Sequence, residues 1–230
     1  MMIAANIEKI KQQIPHHVQL VAVSKTKPAE MVMEAYQAGQ KVFGENKVQE
    51  LVAKHEQLPK DIQWHLIGHL QTNKVKYIAP FVSLIHAVDS YKLLEVINKE
   101  GIKNNRSIPV LLQVYIAKEE TKFGLNETEL FDLLALAHQN NLQHIEICGL
   151  MGMATNTDNE TIITQEFTYL NNLFNQLKNN LHNYPILHKN SFNTLSMGMS
   201  SDYLTAIQCG SNMIRVGSSI FGERIYPNEK

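Results

Sequence analysis

The sequence predicts a single (β/α)8 barrel domain spanning residues 1–230. Three observations point there. Eight short apolar runs alternate with helical patterns along the chain. Many of these runs are apolar on both faces, as in a parallel sheet covered by helices. No Gly/Ser/Pro-rich linker, charge block or low-complexity tract divides the chain. A doubly wound open sheet is the structural alternative.

The elements read in order. "VQLVAVS" is the first strand, followed by the helical "PAEMVMEAYQAG". "QKVFGE" leads into "NKVQELVAKHEQ", "IQWHLIG" into "TNKVKYIAP", and "VSLIHAV" into "YKLLEVINKEG". "IPVLLQVYI" precedes "NETELFDLLALAHQN", and "HIEICGLM" precedes "TIITQEFTYLNNLFNQLKNNL". "TLSMG" precedes "SDYLTAIQCG", and "NMIRVG" is the last strand. Gly or Asn after several helical stretches fits helix C-termini. Asp89-Ser90 and Asn126 stand where N-caps are expected. The Asn-rich patches near Asn104 and Asn156 read as loops.

Composition excludes several function classes. The chain is 44% hydrophobic and 19% charged with net charge −1, so broad attraction to nucleic acid or an anionic membrane is not expected. Cys148 and Cys209 form no C-x-x-C pair, which argues against a disulfide framework or a structural zinc site. The opening "MMIAANIEKIKQQI" is amphipathic, without a signal-peptide core. No run reaches the roughly 18 apolar residues of a membrane span. A reduced, cytoplasmic protein is expected.

In a barrel of this kind, active groups sit just beyond the C-terminal ends of the strands. Lys25 closes the first strand, Glu45 and Asn46 follow the second, and His65 and His69 lie at the third. His86 is at the fourth, Met151 follows the sixth, Ser196–Ser201 the seventh and Arg215–Ser218 the eighth. Strand parity and the strand's end choose between two neighbouring lysines. Val21, Val23 and Lys25 share one face, so if the valines fill the interior, Lys25 is the next inward residue. Lys27 has the same parity but lies past the strand, and, held extended before Pro28, it belongs on the rim. Partial desolvation at the mouth favours the neutral amine, the form that attacks a carbonyl.

The late loops supply an anion site. "IRVGSSIFGER" can present backbone N–H groups at Gly217 and beyond, and "SMGMSSDY" offers Ser200 or Ser201 as a hydroxyl donor or cap for the next helix. Loops after strands seven and eight are where such barrels hold phosphate. Arg215 shares a strand face with Gly217 and can hydrogen-bond a ring nitrogen or support the loop. Lysine, phosphate cradle and arginine across one mouth suggest a phosphorylated carbonyl compound, pyridoxal 5′-phosphate (PLP) first and a sugar phosphate second. His65 and His69 are four apart, but Gly68 breaks the helical geometry of an H-x-x-x-H metal site. No metal is expected.

"AVSKTKP", "FGENKVQE", "WHLIGHLQTNK", "HAVDS", "GLMGMA", "LSMGMSSDY" and "IRVGSSIFGER" together resemble the YggS/PROSC family of PLP homeostasis proteins, in the family's order from Val21 to Arg224. The resemblance implies a barrel like the N-terminal domain of alanine racemase, with PLP held as an imine on Lys25. It implies Asn46 near the cofactor, Met151 lining the pocket and Ser200 on the phosphate. It further implies Arg215 near the pyridine nitrogen and Gly217 at the phosphate. Ser218, often threonine in the family, keeps its hydroxyl and N–H there. His69 stands where other residues occur in the family and receives no role.

The expected function is a PLP carrier or buffer in PLP homeostasis and amino-acid balance, with no catalytic residue assigned. A racemase-type enzyme needs acids and bases on both faces of the imine. In alanine racemase-like enzymes one of them depends on a second domain, which is not expected in a chain ending at Lys230. An arginine at the ring nitrogen also weakens the electron sink. A PLP-dependent racemase-like enzyme is the alternative, and a phosphosugar aldolase or isomerase the third possibility. The expected partners are PLP and apo forms of PLP-dependent enzymes, with the chain itself monomeric.

Overall fold

The computed structural model describes residues 2–117 and 123–223. Lys118–Lys122, and Arg224 at the end of the last sequence motif, lie outside the described residues. Eight parallel strands close on one another in chain order: β1 (Gln19–Val23), β2 (Val42–Glu45), β3 (Gln63–Leu66), β4 (Leu84–Val88), β5 (Ile108–Gln113), β6 (Ile145–Met151), β7 (Thr194–Ser196) and β8 (Met213–Val216). Pairing of β8 with β1, including Val21 opposite Arg215, closes the barrel. The open-sheet alternative is thereby set aside.

Helix α1 (Met2–Gln13) precedes the barrel and packs against its outside through Ile3, Ile7 and Ile10. These recur at the spacing of one helical face. Between strands lie α2 (Ala29–Gln37), α3 (Val48–Gln57), α4 (Val75–Ile78), α5 (Tyr91–Lys103), α6 (Glu127–Gln139), α7 (Glu160–Asn179) and α8 (Tyr203–Gln208). The short α9 (Ser218–Phe221) follows β8. The expected caps form: Ser90 Oγ accepts from the Leu93 amide at 3.4 Å. Asn126 and Glu129 exchange two 2.9 Å bonds as a capping box. None of the described helices is long and apolar enough to cross a membrane.

Strand parity splits the apolar residues into two cores. Outward-facing Leu20, Ala22, Phe43, Trp64, Leu66, Leu112 and Ile214 join the helices in one large cluster. Inward-facing Val21, Val42, Leu84, Leu111, Met151 and Met213 form a small cluster inside the barrel. The interior is thus filled with side chains. Gly149 marks a register shift where β6 meets β5. Its φ is +152°, and a Cβ there would lie 1.8 Å from the Thr194 carbonyl oxygen, so β6 and β7 meet only across a glycine.

Candidate functional site

A cavity of about 550 Å³ opens at the C-terminal ends of the strands. Its wall takes Lys25 from the turn after β1, Asn46 after β2, Ile67 and His69 after β3, and Gln113 at the end of β5. Met153 follows β6, Ser200 and Ser201 follow β7, and Arg215, Gly217 and Ser218 come from β8 and its loop. Six of the seven expected site residues therefore meet in one space. Met151 lies a layer deeper. It is fully buried in the inner cluster and level with Ser196 across the β6–β7 pair, while Met153, of the same parity, reaches the cavity.

The local geometry of Lys25 differs from the expected strand end. β1 stops at Val23, and Lys25 sits in a turn closed by the Lys27 amide donating to the Ser24 carbonyl at 3.0 Å. Thr26 there has φ +65°, the left-handed region that costs a β-branched residue conformational energy. Polar groups hold this turn from behind. The Thr26 amide donates to Glu50 Oε1 at 2.6 Å. Lys54 Nζ donates to the Ser24 carbonyl at 2.8 Å, to Glu45 Oε1 at 2.7 Å and to Glu50 Oε1 at 2.9 Å. Ser24 Oγ donates to the same Glu45 oxygen at 2.6 Å. Burial pushes the Glu45 carboxyl up to about 7, against the pull of Lys54 and Ser24. Its other oxygen, Oε2, is buried with no hydrogen bond in the structure.

Lys27 also touches the cavity, at its outer edge, where Nζ donates to the Glu223 carbonyl at 2.8 Å. It is a rim lysine tied to the end of the described chain. Gly68 lets the β3 loop pass directly against Asn46: a Cβ there would be 2.5 Å from the Asn46 carbonyl oxygen.

The β7 and β8 loops are joined through the Gly217 amide, which donates to Ser200 Oγ at 3.2 Å. Neither Ser200 nor Ser201 caps α8, contrary to the sequence expectation. Asp202 holds the N-cap position, and its Oδ1 accepts from the Met199 amide at 2.6 Å. Asp202 thereby folds the loop back, leaving both serines on the cavity wall. Among the described residues the Ser201 and Ser218 amides make no hydrogen bond to protein, so both remain available to an anion.

Arg215 is 4% exposed. Its Nη1 donates to Ser196 Oγ at 2.6 Å and its Nη2 to the Gly152 carbonyl at 3.0 Å. Burial lowers the guanidinium to about 10, still a cation at neutral pH. Ser196 Oγ is 3.3 Å from His86 Nδ1, and His86 Nε2 is 3.0 Å from His65 Nδ1. Burial drives His65 down to about 3, and burial together with His65 and Arg215 lowers His86 as well. Both rings are neutral inside the barrel. At the mouth, His69 Nδ1 sits 3.2 Å from Asp89 Oδ2, and the His69 ring stacks on Phe123 with centroids 4.7 Å apart.

Sequence reasoning missed Glu45, Glu50 and Lys54 as supports of the lysine turn, and Gln113 on the wall. One signal was present: Lys54 continues the buried Val48–Leu51 face of α3, where a charged residue needs a partner.

Known proteins match this architecture. The family described as "Alanine racemase, N-terminal domain" matches residues 2–225. The pyridoxal phosphate homeostasis protein of Pasteurella multocida is 40% identical over 239 aligned residues, covering 98% of this chain and 99% of the relative. The solved structure of PipY from Synechococcus elongatus with PLP bound superposes with TM-score 0.85 at 37% identity, covering 96% of this chain and 100% of that one. Alanine racemase from Bartonella henselae, with covalently bound pyridoxal phosphate, is 17% identical at TM-score 0.73. It covers 96% of this chain, which spans 58% of the racemase, and the likeness is one of fold.

Proposed function

The chain belongs to the alanine racemase N-terminal-domain family and, within it, to the pyridoxal phosphate homeostasis proteins, and on that premise we propose that it binds PLP reversibly and limits the free aldehyde. The observation that carries this reading is the placement of Lys25, Arg215 and the Ser200/Ser201/Gly217/Ser218 loops on the wall of one cavity. A volume of about 550 Å³ suits a small aromatic phosphate. Ser200, Ser201 and the Gly217–Ser218 backbone would hold the phosphate, and Arg215 would face the ring nitrogen. Asn46 and Met153 would flank the ring, with Met151 supporting it from below.

Lys25 would hold the cofactor through its aldehyde carbon, its neutral Nζ being the nucleophile that would form an imine with loss of water. Bound in this way the cofactor supplies an electrophilic carbon. This chain's residues orient it and keep the ring nitrogen an acceptor, since a guanidinium only donates. That arrangement supports a carrier that passes the cofactor to apo-enzymes over an enzyme with strong turnover. The carrier acts as a cytoplasmic monomer. One observation favours the racemase-like reading: the Asp89-held His69 on the cavity wall has the form of an acid–base pair.

Purified protein mixed with PLP is expected to develop an imine absorbance band. Borohydride reduction and peptide mapping should then place the label on Lys25. No band, or label on Lys27, overturns the proposal. Amino-acid conversion at enzyme-like turnover that Lys25→Ala abolishes overturns the carrier reading in favour of the enzyme.

A further inference from the structure

Four polar side chains cross the barrel interior beneath the cavity in an unbroken line: Arg215, Ser196, His86 and His65. They come from β8, β7, β4 and β3, and all four are at least 95% buried. Elsewhere that interior holds an apolar cluster. Burying three polar groups behind an arginine is costly unless each finds a partner.

The direction of every hydrogen bond follows from one end. A guanidinium has no acceptor, so Arg215 Nη1 must donate to Ser196 Oγ. The buried serine hydroxyl has one other hydrogen-bond neighbour among the described residues, His86 Nδ1, so its hydrogen goes there and Nδ1 is the unprotonated nitrogen. His86 carries its hydrogen on Nε2 and donates it to His65 Nδ1. His65 in turn carries its hydrogen on Nε2. Changing one ring alone sets two lone pairs or two hydrogens against each other, and reversing both rings makes His86 donate to the serine's second lone pair and leaves the buried serine hydrogen without an acceptor among the described residues.

We propose that Ser196, His86 and His65 are positioning residues for the cofactor site: a one-way hydrogen-bond chain that fixes Arg215 in a single orientation and both imidazoles in the Nε2–H tautomer. This rests on the PLP-binding reading for its consequence, though not for the tautomers. Arg215 has two of its donors engaged, on Ser196 and Gly152, and its guanidinium plane is set before any ligand arrives. A ring nitrogen meeting it encounters a preorganised donor, which lowers the ordering cost of binding.

The test has two arms. In the first, the ¹⁵N shifts of the histidine rings are recorded on the full chain without cofactor. Two Nε2–H tautomers at His65 and His86 are expected, and Ser196→Ala should release His86 into a mixture. An Nδ1–H tautomer or a charged ring at His86 in the wild type overturns the chain. In the second arm the probe is 4′-deoxypyridoxine 5′-phosphate, which has the ring and phosphate but no aldehyde, so Lys25 chemistry is removed. Ser196→Ala is expected to weaken its binding about tenfold, the effect of one hydrogen bond to a charged group, and Ser196→Thr to restore it. Equal affinity in wild type and Ser196→Ala overturns the positioning role. If the probe binds as expected while PLP forms no imine, the fault lies with the covalent reading and not with this chain.

Discussion

Two supports stand behind neighbouring strands of the cavity wall, β1 and β8, and they are built from opposite materials. Behind Lys25, the turn is pinned by ionisable side chains, with Lys54 between Glu45 and Glu50. Behind Arg215, the one charge is backed by neutral groups, Ser196, His86 and His65. The first cluster sits outside the barrel wall among helix residues, and the second inside it. The charged support holds backbone: its bonds end on the Ser24 carbonyl and the Thr26 amide. The neutral support holds a side chain. On the proposed function, an amine that forms an imine gains from a fixed backbone, and a guanidinium that faces the ring gains from a fixed tip.

The largest test of this contrast is Lys54→Met. It leaves Glu45 buried beside an apolar group, and removing one partner of a buried pair costs about 3–5 kcal/mol. Chemical denaturation should show that loss. The double variant Glu45→Met/Lys54→Met should recover much of it, since the carboxylate left behind, Glu50, is partly exposed and still accepts from the Thr26 amide. A double variant as unstable as the single one would mean that the cluster's value is its grip on Ser24 and Thr26 alone.

Ser196→Ala should cost less, about 1–3 kcal/mol, because it strips one acceptor from a buried donor without unpairing an ion pair. An effect as large as that of Lys54→Met would erase the distinction between the two supports.

The smallest effect at any one pH separates them by sign. Glu45 titrates near 4.5 when unfolded and about 7 when folded, so the native state holds the extra proton between those values. That term falls as pH rises from 4.5 to 7. His65 falls from 6.5 to about 3 on folding, so the unfolded state takes the proton first. Its term is complete above pH 6.5 and is lost as pH falls toward 3. Melting curves between pH 4 and 8 should respond in opposite directions: Glu45→Gln flattens the decline toward neutrality, and His65→Gln flattens the decline toward acid. The same direction in both variants would refute the assignment.

Parity made much of this legible. The period-two pattern of "LVAVSK" put Lys25 on the side of Val21 and Val23, a parity that Lys27 shares, and the same pattern at "MIRVG" put Arg215 and Gly217 on one face; all four positions line the cavity. The eight strands were readable because apolar runs and helix caps agreed with one another. What the sequence hid was distance along the barrel axis. Met151 and Met153 share a parity, and only the register across β6, β7 and β8 sets one below the other. The end of β1 was hidden for a related reason: the Ser24 carbonyl is taken by a lysine 30 positions away. His65 and His86 were each visible as strand histidines, but their 3.0 Å contact exists only once the barrel has closed.

Gly149 extends these points to a residue that touches no part of the cavity. A Cβ there would sit 1.8 Å from the Thr194 carbonyl oxygen, two residues before Ser196. Any side chain must push β7 off β6, and the displacement is delivered to a serine whose bond to Arg215 spans 2.6 Å. In a saturation-mutagenesis survey scored by ligand retention, Gly149 should therefore rank with the ligand-facing positions. A map of such scores on the fold would draw the functional region as a wedge running down the seam between the sixth and seventh strands, well beyond the outline of the cavity.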